Sequence, residues 1–447
     1  MNKFISRNIY SGQTIWQRPF DDWKQGEKQL SVLCQLQKTW EYLPVTERTK
    51  KLSCFAEKLF ANKETLSQMI CEEVGRCLPE CRAELDKSID LIRYYSHLAP
   101  ELLSRKTIAT QARLSQVAFE PLGVVLAVMP WNYPVWQILR FAIPALCAGN
   151  ACWVKPAPTV GRVSEALFNL MDEDLPCKLA WLSHDDIEMA IGSCDALAFT
   201  GSAQTGKHLA SIAGKYLKKC VLELGGSNAF IVLSDANLET AATDACHSRF
   251  RDAGQSCNAA KRIILVDEIA DKFLEYFLLN CQKLTAGNPQ DISTSLALLH
   301  LPQAAQQMQS LVDDAVSKGA KCLLGGSNGT QHSYPATVLD QVPQNARVAQ
   351  EEVFGPIATI IRAKNVHNAI ELSNDTPFGL GACVYTADTD KAWEIARQLK
   401  VGSVFINRHT SSDLRLPFGG VKASGFGREL SEFGLYEFVN VKTYWQK

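Results

Sequence analysis

The sequence predicts an α/β protein with a doubly wound parallel sheet and a second α/β unit of similar kind after it. Three observations carry this. At 447 residues and 46% hydrophobic content, the chain exceeds what one ordinary core accommodates. From Gly123 onward, short apolar runs alternate with helix-length amphipathic stretches, a pattern that belongs to parallel sheets covered by helices. A further series of the same kind begins near Asn228.

Taken in order, residues from Glu27 to Tyr95 read as helices, because Leu52, Phe55, Leu59, Leu66 and Met69 recur at three- and four-residue spacing. The polar, β-prone stretch Thr107 to Glu120 follows. The first strand series comprises Val124-Val125-Leu126-Ala127-Val128, Ala151-Cys152-Trp153-Val154, Leu179-Ala180-Trp181-Leu182, Ala196-Leu197-Ala198-Phe199 and Cys220-Val221-Leu222. The second comprises Ala229-Phe230-Ile231-Val232-Leu233, Ile263-Ile264-Leu265-Val266, Ile357-Ala358-Thr359-Ile360-Ile361 and Ser403-Val404-Phe405-Ile406. Ligands of such sheets gather at the carboxyl ends of the strands. Asn132, Lys155, Gly201 and Glu223 all stand just after runs of the first series. With no repeat, low-complexity segment or disordered linker, a site between two packed lobes is expected.

A net charge of −1 gives no electrostatic case for a nucleic-acid or acidic-membrane partner. No apolar run approaches a membrane span and the N-terminus has no apolar h-region, so a soluble, cytoplasmic protein is expected. Fifteen cysteines, an odd number scattered through a long chain, read as reduced thiols. Cys71, Cys77 and Cys81 lack CxxC spacing and nearby histidines, so they read as helix-packing thiols and no metal is expected.

The strongest chemical signal is Cys257 in Gly254-Gln255-Ser256-Cys257, with Glu223 upstream in Leu222-Glu223-Leu224-Gly225-Gly226-Ser227-Asn228. A thiol nucleophile and a carboxylate that acts later as a base can form a covalent intermediate and then hydrolyse it. Asn132, in Pro130-Trp131-Asn132-Tyr133-Pro134, adds an amide suited to an oxyanion, and Glu352, in Glu351-Glu352-Val353-Phe354-Gly355-Pro356, a carboxylate suited to a ribose diol. Packing is the default role for any one of so many cysteines. Four motifs in one order reverse that default for Cys257.

Together these motifs resemble the aldehyde dehydrogenase superfamily from about Asn8 to Lys447. Within it, Leu217-Lys218-Lys219-Cys220-Val221-Leu222-Glu223 and Gly427-Arg428-Glu429-Leu430-Ser431 look most like the shorter succinate-semialdehyde dehydrogenases. The resemblance implies a Rossmann-like dinucleotide-binding domain over residues 1–106 and 121–225, and a catalytic domain over 226–415. It also implies a small β oligomerisation element from 107–120 and 432–447, with Phe438 to Trp445 joining a partner's sheet in a homodimer or homotetramer. Cys257 would attack the aldehyde, with the oxyanion held by Asn132 and the backbone N–H of Cys257. Hydride would pass to NAD or NADP, and Glu223 would serve as base for thioester hydrolysis. Phe199-Thr200-Gly201-Ser202 would replace the usual dinucleotide fingerprint, with Ser202 at the helix start near the pyrophosphate. Lys155 would donate to the adenosine ribose, Glu352 would bind the nicotinamide ribose and Phe354 would pack beside that ring. Trp131 reads either as lining the pyrophosphate channel or as a core tryptophan.

Pro158 stands where NAD-preferring relatives carry a ribose-binding glutamate, which leaves the choice between NAD and NADP open. Arg140, Arg251 and Ser412 match positions that grip a substrate carboxylate, although Asp413 beside Ser412 argues mildly against an anion. Oxidation of succinate semialdehyde to succinate is the expected reaction. One rival is a broad-specificity or betaine-type aldehyde dehydrogenase, which would want aromatic or acidic residues in place of Arg140 and Arg251. A cysteine hydrolase pairing Cys257 with His247 would leave Lys155, Ser202 and Glu352 unexplained. A non-catalytic protein of the same fold would have no use for Cys257, Glu223 and Asn132. Leu298-Leu299-His300 stands where the family commonly has Gly-Pro, and the sequence assigns it no function.

Overall fold

A computed structural model describes residues 3–327 and 329–447. Among the described residues a six-stranded sheet runs in the order Gly425–Phe426, Lys219–Glu223, Ala196–Thr200, Val124–Val128, Ala151–Lys155, Cys177–Leu179. All pairings are parallel except that of Gly425–Phe426. The central strand Val124–Val128 has its sequence successors on one side and the later strands on the other. That reversal of direction opens a crevice at the carboxyl ends.

The seven-stranded sheet runs in the order Lys321–Leu324, Thr337–Asp340, Ile357–Ala363, Ala260–Val266, Asn228–Val232, Gly381–Tyr385, Ser403–Ile406. Its central strands are buried along their whole length, as strands covered on both faces must be. The sequence reading missed Lys321–Leu324, Thr337–Asp340 and Gly381–Tyr385. Each is four or five residues long, and the last opens with Gly-Ala-Cys, so none is long enough for a strand pattern to stand out. Conversely, the run Leu179 to Leu182 leaves the ladder after Leu179, because Trp181 and Leu182 turn to meet Asp21 in the N-terminal segment.

Four helices, Trp23–Tyr42, Val45–Ala61, Lys63–Val74 and Leu78–Leu102, fill the region read as helical. Cys71, Cys77 and Cys81 are buried there, and among the described residues no group of three or more His, Cys, Asp or Glu side chains could hold a metal. Among the described residues no helix is long and apolar enough to cross a membrane. The C-terminal strand Val439–Gln446 pairs antiparallel with Leu114–Pro121 of its own chain, Val439 opposite Pro121 and Gln446 opposite Leu114. Lys106–Thr107 completes that three-stranded sheet. The buried Asn150 amide fixes the approach by donating to the Phe438 carbonyl at 2.8 Å.

Candidate active site

Cys257 follows a left-handed turn in which Asp252 (φ 54°), Ala253 (φ 52°) and Gly254 (φ 71°) all have positive φ. Such backbone costs about 1–3 kcal/mol per non-glycine residue unless its surroundings hold it. Asp252 is held firmly: its carboxylate accepts from Arg76 Nε at 2.5 Å, from the Tyr133 hydroxyl and from Arg251 Nε at 3.2 Å, while its own N–H donates to Glu80 at 2.9 Å. Gly254 is required by contact as well as φ, since a Cβ there would lie 1.9 Å from Arg249 Nη2.

The Asn132 amide reaches this loop, donating from Nδ2 to the Gln255 carbonyl at 3.1 Å. That uses one of its two N–H groups and leaves the other for a ligand. Glu223 ends its strand fully buried, with neither carboxylate oxygen hydrogen-bonded. Burial, then the neighbouring Glu429, raises its proton affinity far above the ordinary carboxylate range, while Arg140 and Arg428 oppose this. Burial likewise raises the Cys257 thiol, and Arg140 and Lys261 pull it back.

Cys257 forms part of the wall of two cavities. The first, of about 140 Å³, is cationic: Arg140, Arg251 and Lys87 line it with Ser412, Trp136 and Phe418. Both arginines line this cavity, and Arg140 does so from its buried side. This residue is only 2% exposed and ion-paired with Glu429, with Phe418 packed 5.0 Å from its guanidinium. Arg251 has a side chain 41% exposed, with Nε bonded to Asp252 and Tyr133 beside it. Ser412 accepts a hydrogen bond from Lys87 Nζ. Asp413, the residue that argued against an anion, is turned into a two-bond pair with Arg415 at 2.9 and 2.7 Å, which holds its carboxyl below the usual range.

The second cavity, of about 250 Å³, lies in the crevice of the six-stranded sheet, between Pro130–Asn132 on one side and Thr200–Ser202 on the other. Glu223, Glu352 and Phe354 also line it. Ser202 caps helix Ala203–Lys215, accepting from the Thr205 N–H at 3.2 Å, so the helix end presents free N–H groups suited to phosphate. At Gly225 a Cβ would sit 2.1 Å from Glu352 Oε2, so only glycine lets that carboxylate approach. Its Oε1 meets Lys261 Nζ and the Gly226 N–H. Trp131 lies on this cavity, stacked on His300 at 4.2 Å and edge-on to Phe354 at 5.8 Å. Lys155 does not line either cavity. It is buried at its strand end, 5.7 Å from the Phe4 ring, and burial pushes its ammonium down to about 8. The residues present fit a dinucleotide: a helix N-terminus, a carboxylate beside a bare glycine backbone, and aromatic walls.

His247 packs against His409, and among the described residues no histidine lines either cavity, as a Cys/His hydrolase would need. Sequence reasoning missed Lys87, Lys261, Glu429 and His300. Leu298 and His300 now have a structural role: Gln255 donates to the Leu298 carbonyl at 2.9 Å and accepts the His300 N–H at 2.9 Å, so this segment braces the loop before Cys257.

The sequence matches the aldehyde dehydrogenase family over residues 2–444. It is 38% identical to the succinate semialdehyde dehydrogenase [NAD(P)+] Sad of Escherichia coli, over 99% of this chain and 97% of that protein. It is 37% identical to a succinate-semialdehyde dehydrogenase [NADP(+)] of Deinococcus radiodurans, over 98% and 94%. The fold superposes on the crystal structure of succinic semialdehyde dehydrogenase from Streptococcus pyogenes in complex with NADP+ with a TM-score of 0.95, at 29% identity and 99% coverage of both chains.

Proposed function

Because the chain belongs to the aldehyde dehydrogenase family, we propose that it oxidises succinate semialdehyde to succinate with NAD or NADP. One observation carries this: Cys257 stands between a cationic cavity and a cavity suited to a dinucleotide. An aldehyde held in the first by a distal carboxylate presents its carbonyl carbon to the sulfur. The rival betaine aldehyde, a cation, would meet Arg140, Arg251 and Lys87.

Cys257 Sγ, as the thiolate, attacks the carbonyl carbon, and the oxyanion of the thiohemiacetal is received by the free N–H of Asn132 and the backbone N–H of Cys257. When bound, a nicotinamide supplies the hydride acceptor. Ser202 and its helix end would hold the pyrophosphate, Lys155 the adenosine ribose, and Glu352 the second ribose once it releases Lys261. Glu223, whose surroundings favour proton uptake, takes a proton from the water that attacks the thioester, and Cys257 is released. Pro158 in place of a carboxylate fits use of NADP, as named for two of the relatives.

The reading is tested by following reduced-nicotinamide absorbance with succinate semialdehyde, butanal and betaine aldehyde, each with NAD and NADP. Succinate semialdehyde should give the highest kcat/KM. Preference for butanal or betaine aldehyde would refute the substrate and leave the chemistry of Cys257 standing.

A further inference from the structure

The helix Leu78–Leu102 belongs to the layer in which the sequence shows no chemistry, yet it sends Lys87 into the cavity beside Cys257. Lys87 Nζ lies 4.4 Å from the centroid of Trp136 and donates to Ser412, a residue 325 positions away. Among the described residues it forms no ion pair, whereas Arg140 pairs with Glu429 and Arg251 with Asp252. The charge around the cavity can be counted. Arg76, Arg140, Arg251 and Lys87 are cations, and Glu84, Asp252 and Glu429 are paired with the arginines. Glu80 lies on the same cavity, its carboxyl held up to about 8 by burial and by Asp252.

We propose that Lys87 is a specificity-determining residue of this site, a third cation that, with Arg140 and Arg251, receives the distal carboxylate of an ω-oxo acid. This rests on the reading of the cavity as an aldehyde site. Trp136 holds the ammonium by its ring face, and Ser412 takes one of its three N–H donors, so two remain for the carboxylate. Ser412 thereby acts through Lys87, aiming it.

Lysine differs from the two arginines in that it can lose its charge. Burial, then Arg140 and Arg251, bring Lys87 down to about 8, with Cys257 and Asp413 opposing. Asp413 is shared with Arg415, and Asp90, on the helix of Lys87, lines a neighbouring surface pocket with Lys87 and Ser412. Lys87 is therefore charged below that value and neutral above it, so the grip weakens as pH rises. The thiol of Cys257 also titrates, but it serves every aldehyde and cancels in a ratio.

The experiment measures kcat/KM for succinate semialdehyde divided by kcat/KM for butanal, at pH from about 6.5 to 9.5, with wild type, Lys87→Met and Lys87→Arg. Wild type should favour succinate semialdehyde at pH 7 and lose about tenfold of that preference across pH 8. Lys87→Met should lose about tenfold or more at pH 7, through KM, the scale of one hydrogen bond to a charged group. Lys87→Arg should keep the preference to high pH. A wild-type ratio flat with pH, or a Lys87→Met ratio within about twofold of wild type, overturns the role of Lys87 and leaves the substrate standing. A fall with pH that persists in Lys87→Arg assigns the titration to Glu80 and also overturns it. No wild-type preference for succinate semialdehyde refutes the substrate itself, and the role of Lys87 with it.

Discussion

Arg251→Ala separates carboxylate recognition from the rest of catalysis, and the structure explains why Arg140→Ala does not. The Arg251 side chain is 41% exposed and bonded through Nε to Asp252, with Tyr133 beside it, which leaves terminal N–H groups for a ligand. Its removal leaves Asp252 still held by Arg76 and Tyr133. The left-handed turn before Cys257 should therefore survive. A hydrogen bond to a charged group contributes about 1.5–3 kcal/mol, which is a loss of roughly 10- to 150-fold in kcat/KM for succinate semialdehyde. Butanal, which has no distal carboxylate, should lose far less. Arg140→Ala, in contrast, strips the partner from buried Glu429 and removes the main charge that lowers the Cys257 thiol. Breaking such a pair costs up to about 3–5 kcal/mol, less to the extent that Glu429 takes up a proton. Arg140→Ala should slow both aldehydes and lower the melting temperature. The assay is steady-state kinetics with the two aldehydes, beside thermal unfolding of each variant. Equal slowing of both aldehydes by Arg251→Ala would refute the assignment of Arg251 to the substrate carboxylate.

Cys257→Ala should abolish aldehyde oxidation while retaining nucleotide binding, measured by titration calorimetry, because Ser202, Glu352 and Phe354 are untouched; appreciable turnover would rule out the covalent route. Glu223→Gln should release about one equivalent of reduced cofactor per site in a burst and then turn over slowly, since an amide cannot take the proton from water; loss of both phases together would place Glu223 before hydride transfer. Pro158→Glu should shift the ratio of NADP to NAD activity toward NAD by adding a ribose acceptor and repelling a 2′-phosphate; an unchanged ratio would assign discrimination to another group.

What the sequence determined by itself was whatever is written locally. The alternation of apolar runs with amphipathic stretches set the two parallel sheets, because strand and helix periodicity are properties of neighbouring residues. Cys257, Glu223, Asn132, Ser202 and Glu352 could be singled out because each sits in a short contiguous motif, and the structure brings all five onto the two cavities. Their roles in catalysis are read from those motifs together with the cavities they line. The short strands Thr337–Asp340 and Gly381–Tyr385 escaped notice because their place in the sheet is fixed by neighbours on both sides and not by propensity. The pairing of Val439–Gln446 with Leu114–Pro121 within one chain was equally invisible, since the two strands lie over 300 residues apart.

Only the tertiary structure decided the charges around the reacting sulfur. Lys87 looks in sequence like any lysine on an amphipathic helix, and Glu429 like a surface partner in a charged segment. Packing carries both out of water and sets Lys87 beside Ser412, Glu429 against Arg140, and Lys261 against Glu352. In that drier surrounding the energy of a charge depends on which partner it meets. Arg140 was therefore identified from its position in the sequence, but its burial and its bond to Glu429 follow from residues 289 positions away in the chain, brought together by the packing of helix Trp136–Cys147 against the C-terminal segment.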